Sequence, residues 1–179
     1  MELINARQPE QLLKAIRTAA AEAPEMALVT PDISLFAFDR IINEILDLEK
    51  ARLVVPGDTD ALNLLGGNAD RIFRNRLQNH WLAEKMAKWL TDRAELRETT
   101  AGIPQGTLVL AEQDHKARFG LLGAFSLTND GLGITPGNPL GLVQATSTLQ
   151  EAEQLAAWFE QQWQSLPETT LQSTALMDA

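Results

Sequence analysis

The sequence has no cysteine, only two histidines, and few aromatic residues (6%) among its 179. The first absence excludes disulfides, thiol catalysis and thiolate metal sites together. With His80 and His115 as the only imidazoles, a zinc site would need carboxylates to complete it, and no metal is expected. Positive charge is scarce as well: 15 Lys and Arg stand against 24 Asp and Glu, a formal net charge of −9. Broad binding to a phosphate polymer depends on Lys and Arg displacing counterions, so any nucleic-acid contact has to be local. No apolar run approaches the length that spans a bilayer, and the opening Met-Glu-Leu-Ile-Asn has neither the basic region nor the apolar run of a signal peptide. The expectation is a cytoplasmic protein without membrane contact. No Gly-rich loop ends in Gly-Lys-Ser or Gly-Lys-Thr, so the chain is not expected to bind ATP, and no cofactor is expected.

What is present is a globular balance, 45% hydrophobic and 22% charged, in a length suited to one domain with its own core. Leu3-Ile4-Asn5 reads as a short strand, and Pro9 opens a helix to about Ala23 with Leu12, Leu13 and Ile16 on one face. Met26-Ala27-Leu28-Val29 is compact enough to be a strand buried on both sides. Thr30-Pro31-Asp32 then supplies turn and cap chemistry before a broad apolar helix from Leu35 to Leu46, and Arg52 to Val55 reads as the next strand. Asp58 to Asn68 reads as a loop, and Asn68 or Asp70 caps a long helix with Phe73, Leu77, Trp81, Met86, Trp89 and Leu90 toward the core. Glu95 to Glu98 alternates as a strand. Leu142 to Ala145 is the last strand, and Ser147 caps a final helix with Leu149, Leu155, Ala156, Phe159 and Trp163 inward. Such alternation predicts an α/β domain over 1–167, a mixed β-sheet flanked by helices on both faces, followed by a polar tail or linker at 168–179.

Residues 105–132 carry the functional signal. Gln105-Gly106-Thr107-Leu108-Val109-Leu110 leads through a polar turn, Glu112 to Arg118, into Gly120-Leu121-Leu122-Gly123-Ala124-Phe125-Ser126-Leu127-Thr128 and Gly131-Leu132. This layout resembles the active-site hairpin of the phospholipase D-like superfamily, where His-x-Lys on one strand is followed by Gly-Ser-x-Asn at the end of the next. The resemblance implies phosphodiester chemistry by a nucleophilic imidazole, a second imidazole as general acid, and lysines that offset transition-state charge. Here Gln105 stands at the histidine position and Thr107 at the lysine position, while Ala124 and Ser126 replace the serine and asparagine. Leu140 stands where an acid should follow Asn138. An amide is neither basic nor nucleophilic at neutral pH, so no catalytic residue is expected and the degenerate positions mark lost chemistry on a retained frame. Asp114-His115-Lys116 offers a base, an acid and a cation in a row, but three polar residues between apolar strands read first as a hairpin loop.

Several further segments resemble one branch of that superfamily, the module in front of SNF2-type, superfamily 2 helicases of bacterial restriction and defence systems. These are Leu3 to Arg7, Met26 to Thr30, Asp70 to Leu77 with Trp81, Lys88-Trp89-Leu90 and Glu95-Leu96-Arg97, and Trp158 to Trp163. The resemblance implies a noncatalytic accessory domain of an ATP-driven helicase, with DNA reached through the helicase module and a second copy of the chain as partners. Arg71, Arg74, Arg76, Lys85 and Lys88, extended by Arg93 and Arg97, are the DNA-binding candidates. Against that, the same residues can balance Asp70, Glu84, Asp92 and Glu95 along a solvated helix, and the four tryptophans, Trp81, Trp89, Trp158 and Trp163, read as core anchors rather than base-stacking platforms. Two other readings remain open: a phosphodiesterase whose chemistry moved to His115, His80 or Asp114 with a metal, and a freestanding acidic scaffold that self-associates.

Overall fold

A computed structural model describes residues 1–4, 10–45, 47–57 and 76–168, with the side chains of 43–44 and 76–79 excepted. The loop read at Asp58 to Asn68, the caps at Asn68 and Asp70, Phe73, the helix start at Pro9 and the tail beyond Glu168 lie outside these residues. The elements run β1 (Glu2–Ile4), α1 (Gln11–Ala20), β2 (Glu25–Val29), α2 (Leu35–Ile45), β3 (Lys50–Pro56), α3 (Arg76–Arg93) and β4 (Ala94–Thr99). They continue with β5 (Gly106–Ala111), a 3-10 turn (Gln113–His115), β6 (Ala117–Gly123), β7 (Val143–Ala145) and α4 (Leu149–Ser165). The expected α/β architecture is present: one mixed seven-stranded sheet in the order β1-β7-β6-β5-β2-β3-β4. Strands β2, β3 and β4 are parallel, and the remaining neighbours are antiparallel.

Strand alternation sends each sheet face to a different core. Met26, Leu28, Leu53, Val55, Leu108, Leu110 and Leu121 face the larger core with α1, α2 and α3. Ala27, Val29, Val54 and Val109 face the smaller one, built on α4 through Ala152, Leu155, Phe159 and Trp163. The apolar run of β2 is therefore buried on both sides, as a strand covered by helices requires. On α3 the stripe that enters the core is Leu82, Met86, Trp89 and Leu90. Trp89 donates its Nε1 hydrogen to the carbonyl of Ile45 (3.1 Å) and meets Phe38 edge-on at 5.6 Å.

Several local expectations need correction. Trp81 is 54% and Trp158 40% exposed, so neither anchors the core; each sits one residue off the stripe its helix buries. Leu149, in the first turn of α4, is likewise exposed. Thr148, not Ser147, caps α4, its hydroxyl accepting from the Glu151 amide (3.3 Å). Ser34 rather than the Thr30 to Asp32 segment meets the start of α2, accepting from the amides of Phe38 (3.0 Å) and Ala37 (3.4 Å). Helix α1 ends at Ala20, β7 begins at Val143, and the hairpin loop closes at Lys116.

Arg97, which extends the basic series of the sequence, turns inward across the end of α4. Its guanidinium lies 4.5 Å from the Trp163 ring centroid and donates to the carbonyls of Trp163 and of Leu166 (2.8 Å to the latter). A cation at a helix C-terminus meets both the unsatisfied carbonyls and the negative end of the dipole. Arg97→Ala is expected to lower the unfolding free energy by about 2–3 kcal/mol in a urea titration followed by tryptophan fluorescence, with Arg97→Lys recovering only part of it.

Candidate functional site

The frame of the expected site lies where β5 begins. Gln105 precedes the strand and is exposed beside an apolar groove lined by Val29, Val54, Ile103, Pro104 and Trp158. Thr107, two residues on and on the same side of β5, is only 1% exposed between Val29 and Leu122 of the neighbouring strands. Its hydroxyl has no hydrogen-bond partner. It is therefore sealed into the sheet and cannot reach a substrate. Gly106 is required here because a Cβ would run into the carbonyl of Phe125, which packs over it.

The loop after β6 consumes the remaining polar groups. Ser126 Oγ lies 2.7 Å from Thr128 Oγ1, and the Thr128 hydroxyl donates to Asp130 Oδ1 (2.7 Å) while accepting from the Gly131 amide (3.1 Å). Gly131 fits under Ser126 only because it lacks a side chain. The same loop is laced to the end of β2: Leu127 N donates to Thr30 Oγ1 (2.9 Å), and Ser34 N donates to Leu127 O (2.8 Å). Asn138 Oδ1 accepts from the Leu140 amide (3.0 Å), and Leu140 is 84% exposed. Where the family resemblance implies cations, this end of the sheet carries Asp32 and Asp130. Burial, and then the charge of Asp130, holds the Asp32 carboxyl above its ordinary range.

Neither histidine is at this site. His80 is exposed on the outer side of α3, 3.3 Å from Glu84. His115 belongs to the hairpin turn at the other end of β5, with Nδ1 2.5 Å from Glu25 Oε2. Glu25 is opposite Ala111, and Val29 is opposite Thr107, so four residues of strand, about 13 Å, separate the two ends. Asp114 stays out in the loop as expected, whereas His115 and Lys116 both line a pocket against α4. Sequence reasoning missed this pocket because Glu25 and His115 are 90 residues apart and no local pattern joins them. Among the described residues no group of three or more His, Cys, Asp or Glu side chains is placed to hold a metal.

Of the DNA-binding candidates, Arg71 and Arg74 lie outside the described residues, as does the side chain of Arg76. Lys88 pairs with Asp92 at 2.7 Å, the spacing-four neutralisation expected of a solvated helix. Lys85 instead sits 4.9 Å from the centroid of the exposed Trp81 ring. An aromatic face is thus interleaved with the basic residues of α3 after all.

Two outcomes check this account. Thr107→Val removes an unpartnered buried hydroxyl at nearly constant shape and is expected to raise stability by about 1 kcal/mol in equilibrium urea unfolding. For Asp32, a raised folded-state pKa means the folded form holds the proton more tightly, so stability declines as pH rises from 3.8 through the raised value. Asp32→Asn should accordingly gain more on the wild type at about pH 7 than at about pH 4.

No protein-family model matches the sequence, and comparison with curated protein sequences returns no match. Solved structures do resemble it. Nuc from Salmonella typhimurium, a phospholipase D family member, superposes with a TM-score of 0.51 at 10% identity, covering 88% of this chain and 90% of its own. TrmBL2, an archaeal chromatin protein described as having a novel mode of DNA binding, gives a TM-score of 0.49 at 14% identity over 93% of this chain. The chain spans about half (53%) of that protein. At these identities the likeness concerns architecture alone, and the architecture is phospholipase D-like: a mixed seven-stranded sheet with helices on both faces.

Proposed function

We propose that this chain is a noncatalytic phospholipase D-like module that docks DNA for a larger, ATP-driven helicase or restriction enzyme. The observation that carries the first half is Thr107, sealed in the sheet beside an exposed Gln105, with both imidazoles elsewhere. A phosphoryl transfer needs a nucleophile and cations around the phosphorus, and this end of the sheet offers an amide, a buried hydroxyl and two carboxylates. Docking is supported by the α3 face, where the exposed Trp81 carries Lys85 over its ring and Lys88 lies one turn further on. A π-face flanked by ammonium groups suits unpaired bases better than a duplex groove. The tie to a helicase rests on the sequence resemblance of Met26 to Thr30, the α3 segment and Trp158 to Trp163.

Incubation with bis(p-nitrophenyl) phosphate and with single- and double-stranded DNA, with and without magnesium or manganese, is expected to give no turnover. Cleavage that disappears in His115→Ala would instead favour relocated chemistry at the His115–Glu25 pair. In fluorescence anisotropy at low salt, single-stranded DNA is expected to bind, Trp81→Ala to weaken it about tenfold, and the Lys85→Ala, Lys88→Ala double variant to reduce the salt slope by about 2. DNA binding indifferent to all three changes would sink the docking face.

A further inference from the structure

The pocket beneath the hairpin turn has no part in the function proposed above. It holds about 260 Å³ between α4, the turn and the starts of β2 and β3. A cavity of about 150 Å³ admits benzene, so this one has room for a small organic molecule. The pocket's apolar lining is mostly alanine, with Ala27, Ala111, Ala117 and Ala156 inside, Phe159 closing one side and Ala157 at the exposed rim, while Leu155 and Trp163 fill the rest of that layer. The interior is apolar and the rim is charged, the usual division of a small-ligand site.

The rim is charged, and its cations are unequally engaged. Lys50, Arg52 and Lys116 face Glu25, Glu153 and Glu160, and among the described residues Lys116 has no ion-pair partner. Arg52 is held by Glu160 at 2.5 Å, and His115 Nδ1 lies 2.5 Å from Glu25 Oε2 without hydrogen-bond geometry. Lys50 pairs with an exposed partner, Glu95, at 3.1 Å, an exchangeable pair. The electrostatic convergence extends to Glu160, whose carboxyl is held below its ordinary range first by the Arg52 hydrogen bond and also by the charges of His115 and Lys50.

The turn brings His115 to the same place. Asp114 and His115 are successive non-glycine residues with positive φ, 67° and 61°, as tight hairpin turns require and as Asp and His tolerate. The turn is closed by Glu112 N donating to Lys116 O (2.9 Å) and leans onto Glu49 through Gln113 (3.4 Å). That geometry leaves the His115 side chain at the pocket mouth.

We propose that this pocket binds a small organic monoanion, a carboxylate on a compact apolar body, with Lys116, Lys50 and His115 meeting the charge and the alanine floor receiving the body. Benzoate, hexanoate, acetate, phenyl phosphate and inorganic phosphate are the probes, titrated into isotope-labelled protein and followed by amide shifts and calorimetry. Benzoate or hexanoate is expected to saturate with a Kd of about 0.1–1 mM, shifting Ala156, Ala157 and His115, while acetate, lacking the body, binds at least tenfold more weakly. Lys116→Ala and Ala157→Leu, both at exposed positions, should each cost about tenfold, and Lys14→Ala, exposed on α1, nothing. No saturable binding, or saturation indifferent to both pocket variants, overturns the site. Phenyl phosphate binding more than tenfold tighter than benzoate overturns the carboxylate assignment in favour of a phosphate monoester. Wild-type-like unfolding curves for the two variants separate lost binding from lost folding.

Discussion

The ladder between β2 and β5 organises the molecule. On one side of it lies the parallel trio β2, β3 and β4, and on the other the antiparallel run of β5, β6, β7 and β1. Its register, from Glu25 opposite Ala111 to Val29 opposite Thr107, fixes what meets at each end of the sheet. At one end the loop after β6 is laced to Thr30 and Ser34; at the other the hairpin turn is brought over Glu25. A one-residue slip would turn Thr107 and Val109 toward the larger core and Leu108 toward α4, undoing both layers at once.

Helix α4 is alone among the described helices on its face of the sheet, and its attachment is unusually cationic. Arg52 lies 5.1 Å from the Phe159 ring centroid and 5.7 Å from that of Trp163, the two rings stack on one another, and Arg97 covers Trp163 from β4. Strand β3 thus contributes apolar Leu53 and Val55 to one core and a guanidinium to the other. Where helices crowd, aliphatic side chains fill the layer; where one helix must cover several strands, long cationic stems reach across the remaining width.

The α/β class and most element positions were legible because they depend on local patterns: the apolar run Met26 to Val29, the alternation around Leu96, and the stripe that includes Met86 and Trp89. That position 105 carries an amide and not an imidazole was legible from residue identity alone. Orientation was less so. Phe73, Leu77 and Trp81 are spaced by four and read as one face, but Leu82, Met86, Trp89 and Leu90 form a stripe rotated by one residue, which leaves Trp81 outside. Phe159 and Trp163 similarly exclude Trp158. The burial of Thr107 and the pairing of His115 with Glu25 were beyond reach because both are set by the order of strands in the sheet.

The sealed hydroxyl of Thr107 bears on what position 107 could carry. A lysine at that position would have to leave its ammonium between Val29 and Leu122, at a point with almost no access to water. Such a group either gives up its proton or forces the strands apart. A histidine introduced at 105 alone would place an imidazole beside an apolar groove. Building a cationic site at this end of the sheet therefore requires the packing around β5 to open before any introduced side chain is useful, so two substitutions alone do not suffice.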